Sequence, residues 1–208
     1  MSARRLVLAT GNRGKIGEIR AVLSGLDIGV VTSGDLAGWP DLEEKGDTFE
    51  ENAASKALTL ARWAAIPALA DDSGLEVEAL GGRPGVLSAR YAGRQGDDAA
   101  NIARVLREME GIQTGSRGAR FVCVLVLASP GGEVVEVRDT CEGHITTVPR
   151  GERGFGYDPV FIAEGLERTM AELSMEEKNA VSHRGKALRR LRSLLERGEP
   201  AWFFDLVG

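Results

Sequence analysis

The chain has 208 residues, a formal net charge of −5, 43% hydrophobic and 27% charged residues, and two cysteines. That length suits one well-packed domain, with room for two lobes but not for two ordinary domains. The acidic balance excludes a nucleic-acid binder that works by general attraction to the backbone, and it leaves room for a local basic pocket that takes one phosphate-bearing small molecule. Cys123 and Cys141 lack the close spacing of a zinc site or disulfide framework. The apolar run before Gly11 is too short for a signal peptide or membrane span, so the cytosol is the expected compartment.

Residues 4–9 (RRLVLA) read as a short apolar strand that runs straight into Thr10-Gly11-Asn12-Arg13-Gly14-Lys15, after which Ile16, Ile19 and Leu23 recur at helical spacing. Strand, glycine-rich loop, lysine, helix is how proteins place backbone N–H groups and a cation at a phosphate. It is not the loop of P-loop NTPases, because the glycine spacing differs and Ile16 follows the lysine. Residues 27–31 form a second expected strand, and Trp39-Pro40 marks a loop that leads into the acidic turn 41–46. Thr48 and Glu51 make a capping box, and Phe49, Ala53, Ala57, Leu60 and Ala64 share the buried face of the helix it opens. Taken locally, Glu43 and Glu44 fit a solvated acidic loop and Lys56 a solvated helix position.

The run Ala68-Leu69-Ala70 is expected to end a buried strand that delivers two adjacent carboxylates, Asp71 and Asp72. Ser73-Gly74 predicts a tight turn, and residues 75–80 alternate as a half-buried strand would. Acids at the end of a buried strand cost free energy unless a cation or donors compensate them. By themselves these residues fit a self-capped turn as well as a metal site. The loop Gly81-Gly82-Arg83-Pro84-Gly85 and the following Ser88-Ala89-Arg90-Tyr91 turn the chain again and are expected to bring an Arg and a Tyr beside the acids.

Asp97 opens a third helix with Ile102, Val105, Leu106 and Met109 on one face and Gly111 as its stop. Residues 119–128 (ARFVCVLVLA) read as a central strand, and Ser129-Pro130-Gly131-Gly132 turns it into an alternating strand over 133–148. The sheet must therefore be mixed. His144 on that strand is read as structural. Gly154-Phe155-Gly156-Tyr157-Asp158 precedes a short strand at 160–163, and glycines around aromatics let the rings project, although a tight turn explains the segment equally well. Ser174 and Glu177 form a second capping box on a helix that carries Lys178, and Ser182-His183-Arg184 interrupts it before a last helix with Leu188, Leu191, Leu194 and Leu195 on one face. The basic residues on that last helix are a solvated surface. Lys178, His183 and Arg184 differ in gathering donors at a helix start.

Residues 71–93, DDSGLEVEALGGRPGVLSARYAG, resemble the signature of the non-canonical purine nucleoside triphosphate pyrophosphatases, the inosine/xanthosine triphosphatase family. Thr-Gly-Asn-x-x-Lys, Phe-Gly-Tyr-Asp and Ser-His-Arg resemble the same family, so the likeness runs from Thr10 to Arg184. The resemblance implies one α/β domain, a mixed, curved central sheet with flanking helices, with two lobes around an active-site cleft. It implies hydrolysis of ITP, dITP and XTP to monophosphate and pyrophosphate. In the roles it carries over, residues 10–15 (Thr10, Gly11, Asn12, Arg13, Gly14, Lys15) and Ser73 contact the substrate, and Glu43, favoured over Glu44, holds Mg2+ with Asp72. Asp72, or a water it orients, activates the attacking water. Lys56 points at the phosphates, Phe155, Gly156, Tyr157 and Asp158 stack on and bond the base, and Lys178, His183 and Arg184 favour a keto purine. A cytoplasmic homodimer is also implied. The share of Asp71 in the chemistry stays open. The competing class is a nucleotide sensor without turnover, but a pure triphosphate binder has no evident use for three acids beside the phosphates. Pyrophosphatase action on another modified base shares the enzyme class.

Overall fold

The structure is a computed structural model and describes residues 4–205. Its six strands hydrogen-bond in the order β2-β1-β3-β4-β5-β6. They are β1 (Arg4–Leu8), β2 (Ile28–Val31), β3 (Ala68–Val77), β4 (Gly118–Ala128), β5 (Val134–Ile145) and β6 (Phe161–Ala163). Pairing of β1 with β2 and with β3 is parallel, whereas β5 with β6 is antiparallel, so the sheet is mixed as expected. The apolar run at β4 takes an interior position, between β3 and β5. The chain parts into two compact units. One holds the residues up to Asp72, Val124–Arg138 and the residues from Ala187 on; the other holds Ser73–Cys123 and Asp139–Lys186.

In the first unit, helix α1 (Arg13–Leu23) begins two residues before Lys15, because Asn12 caps it: its side chain accepts from the Lys15 N–H at 3.2 Å. The capping box of α2 (Phe49–Ala64) forms in both halves, Thr48 Oγ1 taking the Glu51 N–H and Glu51 Oε2 the Thr48 N–H. Its buried face carries Phe49, Ala53, Ala57, Leu60 and Ala61, with the expected Ala64 only half-buried, and it also buries Asn52 and Lys56. Leu188, Leu191 and Leu195 of α5 (His183–Glu196) are buried. Arg192 of that helix donates to the Val22 and Ser24 carbonyls at the end of α1, at 2.6 and 2.8 Å, where a cation meets the negative end of a helix dipole. A short helix α6 (Ala201–Asp205) follows.

The expected turn at Ser73-Gly74 is absent. β3 is continuous for ten residues through Asp71, Asp72, Ser73 and Gly74, and the half-buried strand expected over 75–80 stops at Val77, with a 3-10 turn at Glu78–Leu80. The reason is position. β3 pairs with β1 only at Ala68 and Leu69, and beyond that its neighbour in the sheet is β4; a strand held in a sheet satisfies its backbone in the extended form whatever the turn preference of Asp-Ser-Gly. The true turn comes at Gly81 and Gly82, both at positive φ, where the Gly82 N–H returns to the Val77 carbonyl.

The second unit packs Leu75, Val77, Tyr91, Val105, Met109, Phe121, Ile145, Tyr157, Val160 and Phe161 into one cluster. Asp97 caps α3 (Asp98–Glu108) through its side chain. Arg117 is buried and its guanidinium is held by carbonyls: Nε by Ile145, Nη2 by Thr146, and Nη1 by Met109 and Ile112, at 2.8 to 3.4 Å. It ties the end of α3 to the end of β5. β5 stops at Ile145 rather than 148, because Thr146 turns to bond Val148 and Val160 carbonyls with its hydroxyl.

Gly143 of β5 pairs with Ala163 of β6, and a Cβ there would run into the Ile162 carbonyl and come within 2.6 Å of the Phe161 ring. Gly143→Ala should therefore destabilise the protein by about 1–3 kcal/mol in denaturant unfolding. Gly115→Ala, whose Cβ meets nothing within 4 Å, serves as the control and should cost clearly less.

Candidate active site

The acids of β3 are compensated by two lysines from two helices. Lys15, in the first turn of α1, pairs with Asp71 Oδ1. Lys56, on the buried face of α2, spends all three donors: on Glu44 Oε1 at 2.6 Å, on the Asp71 carbonyl at 2.9 Å and on Asp72 Oδ1 at 3.1 Å. Burial works against the charge on Lys56, but Asp72, Glu44 and Asp71 outweigh it and its pKa is raised. Burial pushes Asp72 above the usual carboxylate range; Lys56 opposes the rise, and Glu44 and Asp71 add to it. Two ammonium groups and three carboxylates leave the cluster with one net negative charge.

Of the two neighbouring glutamates, Glu44 joins this cluster. Glu43, the expected ligand, is turned to Lys45 at 2.8 Å with its side chain 57% exposed. The acidic loop is held from beneath by Asn52, which accepts from the Gly46 N–H at 2.8 Å and donates to its carbonyl at 3.3 Å. Gly46 has no room for a side chain there, since a Cβ would lie 2.9 Å from Asn52 Oδ1. Among the described residues no group of three or more His, Cys, Asp or Glu gathers as a complete metal cage. The donor set of Asp72 and Glu44 still fits Mg2+, a hard cation held by one or two carboxylates with water and phosphate oxygens completing its shell.

The loop ahead of α1 presents Gly11 and Asn12 exposed, and the first two residues of the helix, Arg13 and Gly14, are exposed with them. Thr10 Oγ1 accepts from the Asn12 N–H at 3.2 Å and Asn12 from that of Lys15, so both side chains shape the loop. A helix start leaves its first N–H groups without intrahelical acceptors, an arrangement suited to an anion.

In the second unit, the Phe155 segment is built around Asp158. Asp158 is buried; its Oδ2 accepts from the Phe155 N–H at 2.9 Å and pairs with Lys178. Gly154 lies at φ 78° and passes so close to that carboxylate that a Cβ would collide with it. Gly156, at φ 61°, donates its N–H to Asp98 Oδ2 at 2.7 Å. Phe155 is left half-buried between the two glycines, with Lys178 Nζ 4.6 Å and Arg184 Cζ 5.4 Å from its ring centroid. Tyr157 turns the other way: burial raises its phenol pKa, and the hydroxyl donates to the Ser88 carbonyl at 2.9 Å. It anchors the loop to the core, and Asp158 stands beneath it.

Ser182 breaks α4 (Met175–Val181) in an extended conformation and its Oγ accepts from the Gly185 N–H at 3.0 Å, which starts α5. Gly185 packs against the Asn179 carbonyl too closely for a Cβ. That corner carries Lys178 on α4 and His183 and Arg184 at the start of α5, all buried. His183 stacks on Phe121 at 4.7 Å and 13°, and Arg184 Nη2 donates to Ser73 Oγ at 3.2 Å.

The structure thus brings together Lys15 with the strand acids, and Ser73 with Arg184, Phe155, Lys178 and Asp158. Tyr91, expected beside the acids, instead donates to Glu108 at 2.6 Å and lies under Arg104. Asn52 carried a signal in the sequence: with Lys56 it forms a polar i, i+4 pair on an otherwise apolar helix face. Asp98 carried none, since its partner is 58 residues away.

Residues 6–194 match the profile of the Ham1 family. A protein of Bacillus licheniformis named dITP/XTP pyrophosphatase is 47% identical over 193 residues, covering 93% of this chain and 98% of that protein. The solved structure of a HAM1 protein from Coxiella burnetii superposes with a TM-score of 0.86 at 42% identity, covering 93% of this chain and 99% of that one. A Mycobacterium abscessus structure described as nucleoside-triphosphatase / dITP/XTP pyrophosphatase gives a TM-score of 0.75 at 45% identity, over 90% of this chain and 98% of its own. With its strand acids, lysines and glycine-bracketed phenylalanine all lying inside the matched span, the chain belongs to the Ham1 family.

Proposed function

We propose that the chain hydrolyses ITP, dITP and XTP to the nucleoside monophosphate and pyrophosphate with Mg2+ as cofactor, as a cytoplasmic homodimer. The observation that carries this reading is the convergence of Asp72 and Glu44 on Lys56 next to the Lys15–Asp71 pair. Acids held this close to cations suit turnover of a metal-bound triphosphate better than simple retention of one. The names of the relatives point the same way. No helix among the described residues is long and apolar enough to cross a membrane.

Asp72 and Glu44 would hold the metal, which when bound neutralises triphosphate charge and polarises the scissile phosphorus–oxygen bond. Asp72 takes the proton of the attacking water, directly or through a water it orients, as that water reaches the α-phosphorus. Lys56 keeps Asp72 and Glu44 aimed at one point. Lys15, which Asp71 holds in place, and the first N–H groups of α1 receive the pyrophosphate, where charge develops. Phe155 supplies the stacking surface for the base. A base on that ring lies within reach of Lys178 and Arg184, which can only donate, and a keto oxygen at the six-position accepts from them. The six-amino group of adenine would set donor against donor.

Asp72→Asn should lower kcat by at least ~100-fold while nucleotide binding persists, because it removes a base at nearly constant shape. Glu44→Gln should reduce kcat and raise the Mg2+ concentration needed for half-maximal rate, whereas Glu43→Gln should stay close to wild type; the reverse order of the two glutamates would move the ligand back to Glu43.

Exhaustive chelation should abolish hydrolysis and added Mg2+ should restore it, with Zn2+ a poor substitute for an all-oxygen donor set. Activity that survives chelation would remove the metal from the scheme.

A panel of ITP, XTP, GTP and ATP should give monophosphate and pyrophosphate from the first two, with ATP rejected strongly and GTP less so; selectivity from unpaired buried groups can reach about 10⁴-fold. Arg184→Ala should lower ITP turnover much more than ATP turnover. Diphosphate with free phosphate as products, or equal proportional loss on both nucleotides, would refute the reading of the reaction or of Arg184 respectively.

A further inference from the structure

The Phe155 loop takes part of its shape from a residue that no base-reading motif contains. Asp98 occupies the first turn of α3, where an acid is favourable simply for the helix dipole. The helix does not use it as its cap, because Asp97 fills that role with its bond to the Ala100 N–H. The Asp98 carboxylate instead reaches across to the loop and accepts the Gly156 N–H at 2.7 Å. That length is typical of a charge-assisted bond.

We propose that Asp98 is a positioning residue for base recognition: it locks Gly156 in its left-handed conformation and so sets the ring of Phe155 for the purine. The inference rests on the proposed nucleotide reading. Three ties fix this tripeptide, and each comes from a different place. The Asp158 carboxylate takes the Phe155 N–H from inside the loop, and Tyr157 grips the Ser88 carbonyl beneath. Asp98 takes the Gly156 N–H from α3. The Asp158 tie, anchored by Lys178, reaches the loop at the Phe155 N–H, and the tie at Tyr157 acts on the buried side. The Asp98 bond is therefore the one that fixes the Phe155–Gly156 peptide, which joins the ring to its left-handed neighbour. Gly156 at φ 61° is a conformation open to glycine, and a glycine freed of its acceptor has other basins to visit. Loss of the bond lets the ring wander without removing a single atom that touches the base.

The test is a set of variants assayed for ITP hydrolysis, with pyrophosphate binding measured by calorimetry. Asp98→Ala should raise the KM for ITP by about 10-fold, the scale of one base–aromatic stacking contact, with a smaller change in kcat. Pyrophosphate has no base, and its affinity should not change. Asp98→Asn keeps an oxygen that can accept the N–H and should recover most of the lost KM. In a Phe155→Ala background Asp98→Ala should add no further KM increase, because the ring it positions is gone. An unchanged KM in Asp98→Ala, an equal loss of pyrophosphate affinity, no recovery in the Asn variant, or additive effects with Phe155→Ala would each overturn the inference. A wild-type protein that does not hydrolyse ITP or XTP would overturn the nucleotide reading instead, and this inference with it.

Discussion

A buried ammonium group holds the first unit's chemistry in place. Lys56 arrives on an apolar helix face, where an isolated charge is costly, and it is stable there because every one of its three protons has an oxygen. The same contacts solve the reverse problem for Asp72, a buried carboxylate on β3. Neither group could be buried without the other. The capping box at Thr48 fixes where α2 starts, Asn52 sets the loop that carries Glu44, and these two local devices bring the third carboxylate to the ammonium.

In the second unit carboxylates play the opposite role. Asp158 and Asp98 accept backbone N–H groups, so negative charge there organises a loop instead of waiting for a cation. The loop's two positive-φ glycines and its buried tyrosine leave one side chain, Phe155, outside the core and beside two cations. Short polar bonds do the shaping. The aromatic ring that results is presented by backbone geometry more than by its own packing.

Much of this was legible in the sequence. The capping boxes at Thr48 and Ser174, the central strand at β4 and the donor corner at Lys178, His183 and Arg184 all follow from local rules that the tertiary structure leaves intact. The straight passage of β3 through Asp-Ser-Gly was not legible, because turn preference is local and the pairing that overrides it comes from strands far along the chain. That Glu44 and not Glu43 turns to Lys56 was hidden for a related reason. In a loop, which of two adjacent side chains faces inward depends on Asn52 and Gly46 and not on any period in the residues themselves. The family resemblance made Tyr157 a base contact, whereas its hydroxyl donates to the Ser88 carbonyl.

The guanidinium of Arg117 differs from the charged groups on the outside of the molecule. Pairs such as Arg168 with Glu177 are exposed ions facing exposed ions, and dissolved salt weakens them within a Debye length of about 8–10 Å. Arg117 is buried among peptide carbonyls, which are dipoles with no counter-charge for an added ion to replace. The joint between the end of α3 and the end of β5 is for that reason insulated from ionic strength. The surface electrostatics can rise and fall with the surrounding salt while this joint in the second unit stays put.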